Sequence, residues 1–167
     1  PIFDPLAATD SFLSLILNFR RPEISQPTQL LIQRNDFFVT ADDTPGKALR
    51  QVELNTIASS FPFLIERVMQ LQRMYFREDG NLLSRLLDNP PLEGAVNGIA
   101  EAIRLYGKPG TSMLTVIQSE EANRFDQLGI EQKLWEMYGI GTLRKTLSEI
   151  GLEGSIREGH LQIERKI

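Results

Sequence analysis

Cysteine is absent from the 167-residue sequence, and histidine occurs once, at position 160. Without a thiol the chain can form neither a disulfide nor a thiolate zinc site, and it has no cysteine nucleophile. A single histidine, His160, excludes histidine-rich metal sites and disfavours a histidine-based catalytic triad. These two absences exclude disulfide-stabilised scaffolds and disfavour the usual zinc centres.

Clusters of positive charge are also missing, because no run of lysine or arginine is longer than the pair Arg20 and Arg21. The net charge is −4 and the pI is about 5.1. A protein that binds phosphate backbones normally carries a basic surface. We therefore expect no nucleic-acid partner.

Long apolar runs are lacking as well. The longest, Phe12 to Leu17, is interrupted by a serine, whereas a membrane span requires about 20 apolar residues. The start shows no basic segment followed by an apolar core, so we expect no secretion signal. The sequence favours a cytoplasmic protein with no membrane partner that acts on a small molecule or on another protein.

The residues that are present have the composition of one globular domain, with 41% hydrophobic and 24% charged residues. A chain of this length buries roughly two thirds of its unfolded surface. The hydrophobic pattern of its N-terminal half predicts a helix over residues 11–19, capped by Asp10 or Ser11. A period of two then predicts three strands, over residues 29–33, 36–41 and 48–55. The turn residues at 42–46 (DDTPG) make the last two strands a hairpin.

Helical spacing returns after Ser59 and Ser60, where Pro62 suits the first turn of a helix that reaches about Tyr75. A further helix is predicted over residues 92–106, closed by Gly107. The remaining sequence predicts a strand, a helix and a strand over residues 113–118, 119–138 and 142–146, then a short helix at 147–150 and a strand at 160–165. A crossover of this kind indicates an α/β fold with parallel strands.

Three groups of residues are candidates for chemistry. Glu53 and Asn55 share one face of a predicted strand, which suits a hard cation such as Mg²⁺, although a solvated strand face has the same pattern. Glu121 lies at the start of a predicted helix after a buried strand, where ligands bind in open α/β sheets, although helix capping also explains it. Arg34 can grip a carboxylate with both arms of its guanidinium, or it can pair with Asp36.

Three stretches in this order resemble the eukaryotic-type glutathione synthetase family: residues 34–37 (RNDF), 51–61 (QVELNTIASSF) and 118–127, which end in NRFDQ. The corresponding family patterns are approximately R-S-D-Y, Q-I-E-x-N-T-I-S-x-S-F and E-x-N-x-x-D-Q. Residues 99–107 and 144–155 are also similar in character. The resemblance covers the chain from about residue 8.

The resemblance implies an ATP-dependent ligase that joins γ-glutamylcysteine to glycine through an acyl phosphate. It implies an ATP-grasp fold with an added substrate-binding domain, Mg²⁺ as cofactor and a homodimer. Residues 1–90 would be the helical and hairpin part of the ATP-grasp body that carries the metal-ligand strand. Residues 91–167 would be the α/β substrate-binding domain.

Position by position, the resemblance implies that Glu53 and Asn55 are metal ligands. It implies that the residues contacting γ-glutamylcysteine are Arg34, Ser59, Ser60, Glu121, Asn123 and Gln127. One departure is Ala58, which stands where the family usually has the first serine of its S-x-S. A serine at 59 follows instead, so the hydroxyl contact is lost or displaced.

The second departure is that the sequence stops at Ile167, about where the family continues into its ATP-binding half. We therefore expect this chain alone to be catalytically silent, with no catalytic residue of its own. The alternative function is a stand-alone binding domain derived from such an enzyme, which keeps the pocket and performs no chemistry.

Overall fold

The described part of the computed structural model, residues 4–18, 28–41, 48–55 and 61–163, contains seven helices and six strands. The helices are α1 (Asp4–Ala7), α2 (Ser11–Asn18), α3 (Pro62–Tyr75), α4 (Gly80–Arg85), α5 (Pro91–Tyr106), α6 (Arg124–Tyr138) and α7 (Leu147–Glu153). The strands are β1 (Arg34–Val39), β2 (Leu49–Asn55), β3 (Met113–Ile117), β4 (Thr142–Thr146), β5 (Gly154–Arg157) and β6 (His160–Ile163). Among the described residues, none of the helices has the length and apolar content that a membrane crossing requires.

The described strands pair two by two. β1 and β2 are antiparallel, and their register shifts at a bulge between Asp36 and Phe37. β3 and β4 run parallel and are separated in sequence by α6. β5 and β6 form an antiparallel hairpin, whose turn residues Glu158 and Gly159 both have positive φ, at 52° and 78°. Two positive φ values are typical of the turn that matches the twist of a tight hairpin.

The core lies between α5 and α6. Leu92, Val96 and Ile99 recur at spacings of four and three on α5, which places them on one face of the helix. They are buried against Ile130 and Leu134 of α6. The partly buried side chains that pack against this cluster include Ile32, Phe63 and Met113, so the segment before β1, helix α3 and strand β3 all contribute to it.

Helix α3 approaches α6 closely because Gly129 has no side chain. A Cβ atom at Gly129 would lie 2.2 Å from the ring of Phe63, which is far inside van der Waals contact. The Phe63 ring therefore occupies the space that any other residue at position 129 would need. The glycine thus allows α3 to rest on the start of α6.

Asp126 joins the same two helices through its carboxylate. Its Oδ1 accepts hydrogen bonds from the backbone N–H groups of Phe63 and Leu64, at 3.0 and 3.1 Å. Both amides belong to the first turn of α3, where no carbonyl of the helix itself can reach them. Asp126 is completely buried, and its Oδ2 has no hydrogen-bond partner among the described residues. One side chain of α6 therefore caps α3.

Several sequence predictions are confirmed. Asp10 caps α2 through a 2.9 Å bond from the N–H of Leu13. The antiparallel strands of the hairpin, the two helices that begin near Pro62 and Leu92, and the strand over residues 142–146 are present. Gly107 closes α5 with φ at 70°.

Other predictions are wrong. Residues 29–33 form no strand: Ile32 packs against the core, but the backbone of this segment joins no described ladder. The predicted helix start at Ser119 is five residues early, because the Glu121 carboxylate accepts from the N–H groups of Gln118 and Asn123 and folds this segment as a turn. Helix α4, which begins at Gly80 after its cap Asp79, was not predicted. The strand β5 was not predicted.

We expect Asp126→Ala to lower the free energy of unfolding by roughly 2–4 kcal/mol, because two amides of the first turn of α3 lose their acceptor and the space of a buried side chain is left empty. The measurement is urea denaturation followed by circular dichroism. The matched control is Asp79→Ala, which removes an exposed cap that accepts from two amides of α4 and should cost about 1 kcal/mol. Equal losses in the two variants would contradict the bridging role of Asp126.

Candidate functional site

The structure brings three predicted site residues, Arg34, Glu53 and Asn55, together with Asp36 in one group, here called the hairpin cluster. Arg34 and Asp36 alternate on β1, and Glu53 and Asn55 alternate on β2, so each pair shares a face. The ladder register places Arg34 opposite Asn55 and Asp36 opposite Glu53. The cluster is therefore a direct product of strand alternation and antiparallel pairing.

Arg34 holds the hairpin cluster together. Its Nε and Nη2 donate to the two carboxylate oxygens of Asp36 at 3.1 and 3.2 Å. Its Nη2 also lies 3.8 Å from Oε1 of Glu53. Hydrogen bonding from Arg34 is the main reason that the pKa of Asp36 is lowered. The guanidinium further stacks over the ring of Phe61, with 5.6 Å to the ring centroid.

Asn55 completes the hairpin cluster. Its Nδ2 donates to Glu53 Oε1 at 2.7 Å and to Asp36 Oδ2 at 3.4 Å. The two carboxylates and the amide are oxygen donors of the kind that Mg²⁺ prefers. The described residues contain no group of three or more acidic or histidine side chains arranged to hold a metal ion. The chemistry of the donor set thus fits one side of a hard-cation site.

A second group of predicted residues lies around the start of α6: Glu121, Asn123 and Gln127. Glu121 Oε1 accepts from the N–H of Asn123 at 2.8 Å, and its Oε2 accepts from the N–H of Gln118 at 3.4 Å. These contacts, that of the Asn123 N–H first, hold the pKa of Glu121 below its usual range. Glu121 therefore carries its negative charge at neutral pH.

The contacts of Gln127 continue into a network of buried polar groups that the sequence did not reveal. Gln127 Oε1 accepts from Arg144 of β4 at 2.7 Å, and Arg144 pairs with Glu131 of α6 at 2.5 Å. Thr115 of β3 donates to Glu131 at 3.0 Å. The one available signal was the spacing of Gln127 and Glu131, which places two polar residues on the same face of a helix as the apolar core.

Two cavities border these groups. One of about 440 Å³ is lined by Arg34 and the surrounding segment 30–35, together with the starts of α3 and α5. Another of about 250 Å³ is lined by Gln127, Thr115 and apolar side chains of α5, β3 and α6. Ile32 lines both cavities. One member of each group, Arg34 or Gln127, therefore borders a cavity, and the two cavities share one wall residue. Ser59 and Ser60 lie outside the described residues.

A model of the family described as eukaryotic glutathione synthase, ATP binding domain, matches residues 3–157. The chain belongs to the eukaryotic glutathione synthase family. That description names ATP as the ligand of the matched domain. The resemblance, in contrast, implied that residues in the motifs at 34–37, 51–61 and 118–127 bind γ-glutamylcysteine and the metal.

Among curated proteins, the chain is 36% identical over 139 residues to the glutathione synthetase of Homo sapiens, which covers 80% of this chain and 28% of the human protein. It is 32% identical over 157 residues to the chloroplastic glutathione synthetase of Solanum lycopersicum, covering 89% of this chain and 28% of that protein. The chain thus spans less than a third of the length of these relatives.

Among solved structures, the chain is similar to a glutathione synthetase-like effector of Globodera pallida in its apo form. The TM-score is 0.65 with 20% sequence identity, covering 78% of this chain and 33% of the other. This similarity concerns the fold: a mixed α/β arrangement with small parallel and antiparallel sheets.

We expect Glu121→Gln to reduce the loss of stability that acid causes. Because folding lowers the pKa of Glu121, its contribution is fully present above its ordinary value of about 4.3 and is lost as the pH falls through the lower folded value. The measurement is the thermal midpoint at several pH values between neutrality and acid denaturation.

The matched control for this measurement is Glu120→Gln, a neighbouring exposed glutamate without a hydrogen bond or ion pair in the described part of the chain. The control should follow the acid limb of the unmodified protein. An unchanged acid limb in Glu121→Gln would show that the carboxylate contacts contribute nothing to folding.

Proposed function

We propose that this chain supplies the γ-glutamylcysteine site and half of the Mg²⁺ site of an ATP-dependent glutathione synthetase. In that reaction the γ-phosphoryl group of ATP passes to the substrate carboxylate, ADP leaves, and the amine of glycine then displaces phosphate to form the new amide bond. The proposal rests on the family membership together with the geometry of the motif residues.

The observation that carries the proposal is the convergence of the three motifs. Residues from the first two form the hairpin cluster, residues from the third surround Glu121, and the cavities beside Arg34 and Gln127 share Ile32. The third motif is separated from the first two by residues 62–117, so only the tertiary fold brings it to an adjoining space. Such a grouping of polar side chains beside an apolar wall is typical of small-molecule sites.

The charges at the two groups suit the two ends of a γ-glutamyl dipeptide. Arg34 offers a planar guanidinium that binds carboxylates with two parallel hydrogen bonds, as it does with Asp36 here. Glu121 offers a carboxylate for an ammonium group. Asn123 and Gln127 add amides that can donate and accept. In this proposal Ser59 and Ser60 contribute hydroxyl contacts, and Ala58 withdraws one.

Mg²⁺ fits the hairpin cluster as a shared ion. Glu53 and Asn55 would hold it on this chain, while phosphate oxygens of ATP and water supply the remaining ligands, as is usual for this cation. When bound, the ion neutralises the charge that develops on the transferred phosphoryl group. Arg34 keeps Asp36 and Glu53 close together, so it positions the acidic side of the site.

The proposal extends to the organisation of the protein. Residues 1–90 would belong to the ATP-grasp body and residues 91–167 to the substrate-binding domain, in a cytoplasmic homodimer. The second candidate function, a binding domain without catalysis, is favoured by one observation, the alanine at 58 in place of the family's serine. It would keep γ-glutamylcysteine affinity without ATP-dependent turnover.

We expect the chain to bind γ-glutamylcysteine and Arg34→Ala to weaken that binding by roughly 10- to 100-fold, because a charged hydrogen bond to the ligand carboxylate is lost. Isothermal titration calorimetry measures the affinity directly. Arg50→Ala, a substitution on the same hairpin at a residue outside the cluster, is the matched control and should leave the affinity unchanged.

Two outcomes of this titration would count against the proposal. One is the absence of heat in a sample whose circular dichroism shows the folded chain. The other is an Arg34→Ala variant that binds as tightly as the unmodified protein, which would place the ligand carboxylate elsewhere.

In a complete enzyme that contains this chain, we expect Glu53→Gln to lower kcat by ~100-fold or more and to raise the Mg²⁺ concentration that gives half-maximal rate, because a metal ligand loses its charge. Steady-state assays of ADP release at varied Mg²⁺ provide both values. A lowered kcat with an unchanged Mg²⁺ dependence would remove Glu53 from the metal site.

A further inference from the structure

Arg144 is a partly buried cation that joins the parallel strands to the candidate site. It lies on β4 opposite Thr115 of β3, and its side chain is 20% exposed. Its Nη1 bonds to Glu131 at 2.5 Å, and its Nη2 bonds to Gln127 at 2.7 Å. The two arms of one guanidinium therefore reach two residues that are one turn apart on α6.

Glu131 fixes Arg144 in this position. The Glu131 side chain is 8% exposed, and its Oε1 also accepts from the hydroxyl of Thr115 at 3.0 Å. A buried carboxylate of this kind needs a positive partner and additional hydrogen bonds to be tolerated. Glu131 and Thr115 thus hold the guanidinium in one orientation, with its second arm directed at Gln127.

The guanidinium decides which way the amide of Gln127 points. An amide side chain can present either its oxygen or its nitrogen, and the two orientations have nearly the same shape. Arginine has five N–H donors and no acceptor, so only the oxygen of Gln127 can face it. The NH₂ group is then turned to the side away from Arg144.

We propose that Arg144 is a positioning residue that sets the orientation of the Gln127 amide in the γ-glutamylcysteine site. The inference deepens the proposed function and rests on it for the identity of the ligand. Arg144 itself need not contact that ligand. Lysine cannot replace it, because a single ammonium cannot hold Glu131 and Gln127 with the fixed geometry of a planar fork.

The test is a double-mutant cycle with γ-glutamylcysteine affinity as the readout. We expect Arg144→Met to weaken binding roughly 10-fold in the unmodified chain, because the amide of Gln127 is free to flip. In a Gln127→Ala background the same change should cost less than about 2-fold, since the residue through which Arg144 acts is gone. Equal losses in both backgrounds would overturn the proposal.

Two further variants control for folding and for charge. Arg144→Met combined with Glu131→Gln removes both members of the buried ion pair, so no carboxylate is left without its partner, and this variant replaces the single one if that does not fold. Arg144→Lys keeps the charge and loses the fork, and we expect it to weaken binding as Arg144→Met does. Full affinity in Arg144→Lys would show that charge alone suffices, which contradicts an orienting role.

A readout without ligand separates this inference from the proposed function. In nuclear magnetic resonance of the unliganded chain, Arg144→Met should change the chemical shifts of the NH₂ protons of Gln127. If the unmodified chain fails to bind γ-glutamylcysteine yet shows these changes, the proposed function is wrong and the orienting role stands. If it binds and the resonances stay unchanged, the orienting role is wrong.

Discussion

The capping of α3 by Asp126 is the interaction on which the described arrangement depends. It replaces the missing helical acceptors of two amides with a single buried carboxylate oxygen, and it does so across a long separation in sequence. The next residue along the chain, Gln127, belongs to the candidate site. Phe61, at the other side of the capped turn, lies under the guanidinium of Arg34. The Asp126 carboxylate therefore links the residues around Glu121 to Phe61, which contacts the hairpin cluster. Gly129 allows the close approach of α3 and α6 that this requires.

The charged side chains of the candidate site already have hydrogen-bond partners within the chain. Arg34 is engaged by Asp36, and Glu121 is engaged by the backbone N–H groups of Gln118 and Asn123. A ligand that binds here exchanges one set of hydrogen bonds for another, so the net free energy is a difference between two similar terms. An arrangement of this kind favours discrimination between ligands over high affinity. A ligand that restores only some of the displaced hydrogen bonds covers a polar group and leaves it without a partner.

The local sequence pattern was sufficient to predict those helices and strands that local interactions determine. Alternation along the strands correctly placed Glu53 and Asn55 on one face. Arg34 was expected either to grip a ligand carboxylate or to pair with Asp36. Its contacts are compatible with both, since it pairs with Asp36 and also lines a cavity. The helix expected at Ser119 failed because a side chain, Glu121, captured two backbone amides. The bond between Arg144 and Glu131 could not be predicted, because neither residue type nor spacing tells which strand position a helix will cover.

The bulge in the hairpin has a consequence for how this segment can change in evolution. Asp36 pairs with Glu53 and Phe37 pairs with Gln51, so Val52 is the extra residue in the ladder. Because of this extra residue, the side chains of β2 on its two sides alternate in different phases relative to those of β1. Deleting Val52 would hardly change the composition of the hairpin. It would nevertheless move the side chains on one end of β2 to the opposite face, relative to those on the other end. Homologous sequences should consequently show very few gaps at this position.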